Sequence, residues 1–102
     1  MVHHVFISHS SQDRIIAYTV CAHLERHGIR CWIAPRDVNP GRSYGEEITV
    51  AIEASTALVL VFSANANVST HIPKEIERAT SHGIPVIQYC HPHRKDALLF
   101  KR

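Results

Sequence analysis

The chain contains 102 residues, which is enough for one domain with a single hydrophobic core and too few for two. Hydrophobic residues make up 45% and charged residues 20% of the chain, a composition that is ordinary for a globular protein and excludes disorder. The net charge is only +2 and no apolar run approaches the roughly 18 residues of a membrane span, so we expect neither a nucleic-acid nor a membrane partner.

The chain opens with a predicted strand and a predicted helix. HVFIS (His4–Ser8) is a short apolar strand, and the polar residues after it turn into a helix that runs to about His27. Ser10 and Asp13 have the spacing of a capping box at the start of this helix. Gly28 follows its last turn, where a left-handed C-terminal cap is expected.

A second strand, a long loop and a second helix come next. IRCWI (Ile29–Ile33) is predicted to be the strand. Two prolines and a glycine in APRDVNPGRS exclude regular structure, so Ala34–Ser43 is predicted to be an exposed loop of functional length. The helix is predicted over Tyr44–Ala54, with its inward face formed by Tyr44, Ile48, Ala51, Ile52 and Ser55.

The second half centres on ALVLVFS (Ala57–Ser63), a continuous apolar run typical of a central parallel strand that is covered on both faces. A polar loop (Ala64–Thr70) then leads into a third helix, HIPKEIERATSH, which Gly83 closes. IPVIQY (Ile84–Tyr89) is predicted to be a fourth strand, and its weak alternation indicates burial on both sides.

One carboxylate on the third helix is predicted to lie at the boundary of the core. At about 100° per residue, Glu75 lies roughly 60° from Ile72, at the edge of the buried stripe. Glu77 points away from that stripe towards solvent. We therefore expect Glu75 to be the functional carboxylate.

Strands and helices alternate along the chain, so the predicted fold class is α/β, with parallel strands, right-handed crossovers and helices on both faces of an open, flavodoxin-like sheet. In the common strand order 2-1-3-4, ligands bind beyond the carboxyl ends of strands one and three. The loops at those ends are Ser8–Gln12 and Ser63–Thr70, and the second leads directly to Glu75. Topology and helix phase therefore predict the same cleft.

Three blocks of the sequence resemble the Toll/interleukin receptor (TIR) domains, and within that family the bacterial members. They occur in the family order: VFISHSSQD (Val5–Asp13), CWIAPRDVNPG (Cys31–Gly41) and SANANVSTHIPKEIERA (Ser63–Ala79). The resemblance places a TIR domain at residues 4–90 and leaves 91–102 as an irregular basic tail. The family normally continues into a fifth strand and a last helix, and we expect this chain, as a fragment or a short form, to lack both.

The resemblance implies an NAD+ glycohydrolase or cyclase that releases nicotinamide and forms ADP-ribose or a cyclic derivative, in bacterial immune or anti-phage signalling. The catalytic glutamate of the family corresponds to Glu75, and many members have tryptophan at the position of His71. NAD+ is then a substrate, and no cofactor is expected. The further substrate-binding residues that we expect are Phe6, Ser8, His9, Ser10, Trp32, Arg36, Asp37 and His71.

Other functions remain open at this point. The runner-up is a non-enzymatic module in which the Ala34–Ser43 loop mediates contacts between TIR domains. A flavodoxin or phosphoreceiver shares the topology, but a receiver needs aspartate at the end of the third strand, where Ser63 stands. Family members complete their sites by stacking, so we expect a homo-oligomer, with a fused or companion sensor domain as a further partner.

The cysteines and histidines predict no metal site. Cys21, Cys31 and Cys90 form no CxxC pair, and an odd number of cysteines is typical of a reducing compartment. Since the chain also begins without a recognisable signal peptide, we expect a cytoplasmic location. His23 and His27 lie one helical turn apart, but no four-ligand spacing is completed around them.

Overall fold

The computed structural model describes residues 3–90 and 99–101, which form one five-stranded sheet with helices packed on it. The strands are β1 (Val5–Ser8), β2 (Cys31–Trp32), β3 (Ala57–Phe62), β4 (Val86–Cys90) and β5 (Leu99–Lys101). The helices are α1 (Arg14–Arg26), α2 (Tyr44–Glu53), α3 (Ala64–Asn67) and α4 (Ile72–Ser81), with a 3-10 turn over Ser11–Asp13. In this described part of the chain, every helix is too short or too polar to cross a bilayer.

The sheet has the strand order β2-β1-β3-β4-β5, and its first four strands are parallel. This arrangement confirms the predicted order 2-1-3-4 and the central position of β3. The carboxyl ends of β1 and β3 are neighbours, because Ser8 pairs with Leu60. The two loops that were predicted to border a common cleft therefore leave the sheet side by side.

The fifth strand was not predicted. Leu99–Lys101 pairs antiparallel with β4, with Gln88 opposite Lys101. The prediction of an irregular tail over 91–102 is therefore wrong for these three residues. Residues 91–98 and 102 lie outside the described residues.

Alternate residues of the central strands face two separate apolar clusters. Val59 and Val61 face the cluster that contains α1, whereas Leu58 and Leu60 face the cluster that contains α2 and α4. This alternation follows from the two-residue repeat of a strand. It gives the sheet an α1 face and an α2/α4 face.

Several boundaries differ from the predictions because tertiary contacts decide them. The edge strand β2 has only two residues. The predicted loop Ala64–Thr70 contains the short helix α3. The Ser63 hydroxyl caps the start of α3 by accepting a hydrogen bond from the Ala66 amide. The predicted burial of the fourth strand on both sides is also wrong, since Val86, Ile87 and Gln88 are only half-buried.

Both predicted glycine caps are confirmed, at the C-terminal ends of α1 and α4. Gly28 and Gly83 have φ angles of 81° and 69°, which side chains with a Cβ rarely adopt. The residue after each glycine donates its amide to the carbonyl five positions earlier, Ile29 to Leu24 and Ile84 to Ala79. This pattern is a Schellman cap, and it turns the chain sharply from each helix towards the following strand.

Candidate active site

Glu75 lies in the first turn of α4 with only 7% of its surface exposed. Its amide donates to the carbonyl oxygen of His71 across 3.2 Å, which fixes it in the helix. Ile72 and Ala79 on the same helix pack into the core, whereas Glu77 is exposed. The predicted position of Glu75 at the edge of the apolar stripe agrees with this placement.

The carboxylate of Glu75 is held by the last residue of β1. The Ser8 hydroxyl donates a hydrogen bond of 2.6 Å to Glu75 Oε1, and Ser8 itself is almost completely buried. A hydrogen bond to an ionised acceptor is about twice as strong as one between neutral groups. The strand therefore fixes the direction in which the helix side chain points.

Burial raises the pKa of the Glu75 carboxyl above its ordinary value, because an ionised group is poorly solvated in this position. The hydrogen bond from Ser8 and the charge of His71, when it is protonated, act in the opposite direction and lower that pKa. The net result is a raised pKa, which is common among carboxylates that take part in chemistry.

A cavity of about 670 Å³ lies between α2 and α4 on the side where β1 ends. Glu75 forms part of its wall, and Phe6 and Ile52 supply apolar surface. The volume falls within the range of sites for cofactor-sized molecules. The remaining lining residues are Ile7, His9, Ser11, Arg14, Ala34, Pro35, Tyr44, Gly45, Ile48, Thr49, His71, Lys74 and Arg78.

Two histidines join the loops around this cavity. His71 Nε2 lies 3.0 Å from the carbonyl oxygen of His9, and its Nδ1 lies 3.1 Å from the Ser69 hydroxyl. The ring of His9 in turn contacts the carbonyl oxygens of Ser10 and Ala34. The loops after β1, β2 and β3 are therefore connected directly through imidazole rings.

The structure brings together some of the predicted site residues and separates others. Phe6, His9, His71 and Glu75 line the cavity, and Ser8 lies directly behind the carboxylate. Ser10 is directed away from the cavity, because its hydroxyl accepts the Gln12 amide and caps the 3-10 turn. Trp32 lies outside the lining and stacks on Phe6, with ring centres 5.2 Å apart and planes inclined by 10°.

Arg36 and Asp37 do not line the Glu75 cavity, contrary to the expectation that they contact the same ligand as Glu75. The Arg36 guanidinium contacts Glu25 at 2.9 Å and Asp37 at 2.8 Å. Asp37 also accepts the amide of Ile33 across 2.9 Å. These contacts fold the start of the 34–43 loop against α1, and both residues line a different surface depression together with Cys31.

The cavity also contains four residues that sequence reasoning missed as site residues. Arg14, Lys74 and Arg78 place positive charge at its border, and among the described residues Arg14 and Lys74 have no ion-pair partner. Lys74 and Arg78 are one helical turn apart beside Glu75, so the helix phase contained a signal for them. Tyr44 was predicted to face the core, but it is 54% exposed and lines the cavity.

Within residues 3–90, one group of three side chains has the proximity of metal ligands. Atoms of Cys21, Glu25 and Cys31 all lie within 4.8 Å of one another. This group lies on the α1 face of the sheet, whereas the Glu75 cavity lies on the α2/α4 face. It was not found from the sequence, because Cys21 and Cys31 meet only through the packing of α1 on β2.

Comparison with known proteins gives the family. The TIR domain family profile matches residues 5–98, whereas no curated protein matches the chain. The TIR domain of the Toll-related receptor TRR-2 from Hydra magnipapillata is 29% identical, with a TM-score of 0.75 over 91% of this chain and 72% of that one.

Two larger assemblies contain a similar fold. A TIR-STING receptor from C. gigas is 26% identical, with a TM-score of 0.76 over 90% of this chain and 32% of that one. The TIR domains of the activated Roq1 resistosome, which directly recognises the pathogen effector XopQ, are 23% identical with a TM-score of 0.76, over 86% of this chain and 57% of that one. That last likeness concerns the fold alone. From the profile match and the fold, the chain belongs to the TIR domain family.

Proposed function

We propose that this chain cleaves the bond between nicotinamide and ribose in NAD+, with Glu75 as the catalytic residue. The observation that supports this most strongly is a buried carboxylate in the wall of a cavity of about 670 Å³, on the side of the sheet where β1 ends. Ligands of doubly wound sheets bind at this edge. NAD+ is the substrate in this proposal, and no bound cofactor takes part.

One carboxylate is sufficient for this reaction. Glycosidases of the usual kind need a second carboxyl group to protonate the leaving oxygen. Nicotinamide leaves NAD+ from a cationic ring, so the electron pair of the broken C1′–N bond neutralises it and no acid is needed. The Glu75 anion then stabilises the positive charge that develops on the ribose. Water attacks C1′ and loses a proton to give ADP-ribose, or an adenine nitrogen attacks to give the cyclic product.

The border of the cavity supports the binding of the rest of the molecule. Arg14, Lys74 and Arg78 supply cations for the diphosphate, which carries two negative charges. Tyr44 offers an exposed aromatic ring near Glu75, and His71 offers a smaller one at the entrance. We assign the nicotinamide ring to this aromatic side, because a flat cationic ring binds favourably to aromatic faces.

The test is release of nicotinamide from NAD+ by the wild-type protein, by Glu75→Ala and by Glu77→Ala. Glu77 is two positions from Glu75 on α4, but it is exposed and does not line the cavity. Loss of one group that stabilises developing charge typically costs about 100-fold or more in rate. We expect Glu75→Ala to lose at least that much and Glu77→Ala to keep wild-type activity.

Full activity in Glu75→Ala would refute the assignment of the catalytic residue. Absence of turnover in the wild type at high protein concentration would refute the activity for this chain. Chromatography of the products separates ADP-ribose from a cyclic isomer, so the same experiment also identifies the acceptor of the ribosyl group.

The proposed setting is immune or anti-phage signalling in the cytoplasm, with a fused or companion sensor domain. The support is indirect: the similar structures include a receptor and a resistosome, and TIR domains commonly self-associate. We also propose that this chain forms homo-oligomers through TIR-TIR contacts. Light scattering across a range of protein concentrations tests this, and a monomer at every concentration would contradict it.

A second candidate function is a non-enzymatic interaction module that uses the 34–43 loop. Its support is that the loop is anchored at both ends while its tip is exposed: Asp37 binds the Ile33 amide, and the Asn39 amide binds Glu47. Arg42→Glu, in the exposed second half of the loop, should weaken self-association, whereas Arg26→Glu, the same charge change at the exposed end of α1, should not. Self-association that is sensitive to Arg42→Glu, without any NAD+ cleavage, would favour this function.

A further inference from the structure

Cys21 and Cys31 form a buried thiol pair on the α1 face of the sheet. Cys21 lies on α1 and Cys31 on the edge strand β2, and their side chains are only 2% and 6% exposed. Their sulfur atoms and a carboxylate oxygen of Glu25 all lie within 4.8 Å of one another. The pair is separate from the Glu75 cavity, which lies on the other face.

The position that a metal ion would need is taken by a side-chain cation. Both carboxylate oxygens of Glu25 accept hydrogen bonds from Arg36, at 3.0 Å and 2.9 Å. The same guanidinium also donates to the carbonyl oxygen of Cys31 across 3.0 Å. A divalent cation would have to displace these contacts and remain next to a positive charge, so the geometry disfavours metal binding.

The two sulfurs are electrostatically different. The neighbouring Cys31 thiol is the largest influence and lowers the pKa of Cys21; burial raises it, Arg36 lowers it, and Glu25 and Asp37 raise it. The Cys31 thiol itself donates to the carbonyl oxygen of Ile29 across 3.6 Å, and the neighbouring Cys21 raises the pKa of Cys31. Cys21 is therefore the sulfur that ionises first, and a thiolate is the form that reacts with oxidants.

We propose that Cys21 and Cys31 are a site of reversible oxidation, at which hydrogen peroxide converts the two thiols into one intramolecular disulfide. The supporting geometry is the proximity of the two sulfurs, which lie within 4.8 Å of each other, with Arg36 bonded to Glu25 and to the Cys31 carbonyl oxygen. Cys31 and Arg36 also line a surface depression of about 700 Å³, so a molecule as small as peroxide approaches the pair from the Cys31 side, with Cys21 behind it.

The chemistry proceeds in two balanced steps. The Cys21 thiolate attacks one oxygen of peroxide, the O–O bond breaks, and Cys21 sulfenic acid and hydroxide form. Cys31, after giving its proton to hydroxide, attacks the Cys21 sulfur; the S–S bond forms, the S–O bond breaks, and the departing hydroxide takes up the proton released when Cys21 ionised. Two thiols and one peroxide thus give one disulfide and two water molecules.

The cross-link would join α1 to β2 immediately before the loop that begins at Ala34. β2 is a two-residue edge strand paired only through Val5 and Phe6 among the described residues, so the covalent link adds a constraint where the sheet is weakest. We expect oxidation to protect the amides of the 34–43 loop from hydrogen exchange.

In the test, the reduced chain is first treated with one equivalent of peroxide under native conditions. It is then alkylated in denaturant and digested with trypsin without reductant. The sequence suits this design, because Cys21, Cys31 and Cys90 fall on separate tryptic peptides, at residues 15–26, 31–36 and 79–94. We expect alkylated cysteines to fall from three to one and a linked 15–26/31–36 pair to appear, which reductant then removes.

Cys90→Ser is the matched control and should leave the linked pair unchanged, whereas Cys21→Ser and Cys31→Ser should abolish it. Three outcomes would overturn the proposal. They are retention of both thiols while Cys90 is oxidised, a covalent dimer as the only product, and zinc-dependent protection of Cys21 and Cys31 from alkylation without any linked peptide. The wild-type measurement decides the question even where a serine variant folds poorly.

Discussion

At the scale of single residues, the site depends on a charge that its surroundings disfavour. Glu75 is buried, and the Ser8 hydroxyl and the nearby His71 only partly offset the effect of burial on its pKa. Catalysis as proposed needs the carboxylate, so activity should fall as pH drops through a pKa that lies above the ordinary value for glutamate.

The first prediction concerns the partner of that carboxylate. Ser8→Ala removes the hydrogen bond that favours the charged form, so the pKa of Glu75 should rise further and the acid side of the pH-activity profile should move to higher pH. Measuring NAD+ cleavage from about pH 5 to about pH 9 tests this. Ser10→Ala is the control, since Ser10 is also buried but its hydroxyl accepts the Gln12 amide. Identical profiles for the two variants would contradict the prediction.

The second prediction concerns stability and follows from the sign of the same shift. The folded chain holds the Glu75 proton more tightly than the unfolded chain, so protonation stabilises the fold, and this contribution is lost as pH rises through the raised pKa. Glu75→Gln is neutral at every pH. It should therefore gain stability relative to wild type as pH increases. The difference in unfolding free energy between the two proteins should be smallest under acidic conditions.

Thermal unfolding of both proteins at several pH values tests this second prediction, with Glu77→Gln as the control. Glu77 is exposed, so its variant should differ from wild type by a nearly constant amount. A Glu75→Gln protein that loses stability relative to wild type as pH rises would show that the carboxylate is better solvated than its burial implies.

At the scale of elements, the capping box predicted for Ser10 and Asp13 is only half correct. The spacing of Ser10 and Asp13 predicts a capping box, and Ser10 does cap the turn that precedes α1. Asp13 instead accepts hydrogen bonds from Ser63 and Asn65, at the far end of β3. The capping-box prediction is therefore wrong for Asp13, because partners about 50 residues away compete for its carboxylate more successfully than the adjacent backbone does.

The third prediction tests this link between elements. Asp13→Ala would leave two half-buried donors, Ser63 and Asn65, without their acceptor, so we expect a loss of about 1–3 kcal/mol in the free energy of unfolding. Urea denaturation measures it. Gln12→Ala, at an exposed neighbouring position, should change stability by no more than about 0.5 kcal/mol. A stability loss as small as that of the control would mean that Asp13 is not needed to hold α3.

The elements that were predicted well are those with strong local signals. The continuous apolar run of β3, the helix period of α4 and the glycine caps each depend on neighbouring residues. β5 and α3 were missed because a three-residue strand and a one-turn helix exist mainly through their tertiary partners. The strength of the local sequence signal therefore separates these successes from these failures.

At the scale of the whole molecule, the order of the strands was predictable because crossover rules leave few arrangements for alternating strands and helices. The same rules predicted which two loops meet, and hence the region of the site around Glu75. They did not predict that Arg36 and Asp37 turn towards α1 and away from this region. The contacts of loop side chains depend on which charged groups lie nearby in the folded chain. The spacing of residues in the sequence does not predict those neighbours.

The three cations at the border of the cavity lead to a kinetic prediction. Arg14, Lys74 and Arg78 surround an opening that a negatively charged dinucleotide must approach, so their combined field should speed the encounter. At an ionic strength of 0.1 M this attraction decays within about 10 Å. Added salt should therefore lower kcat/KM for NAD+ much more than kcat, and Lys74→Gln should flatten that dependence. The fold thus guides its ligand before contact is made.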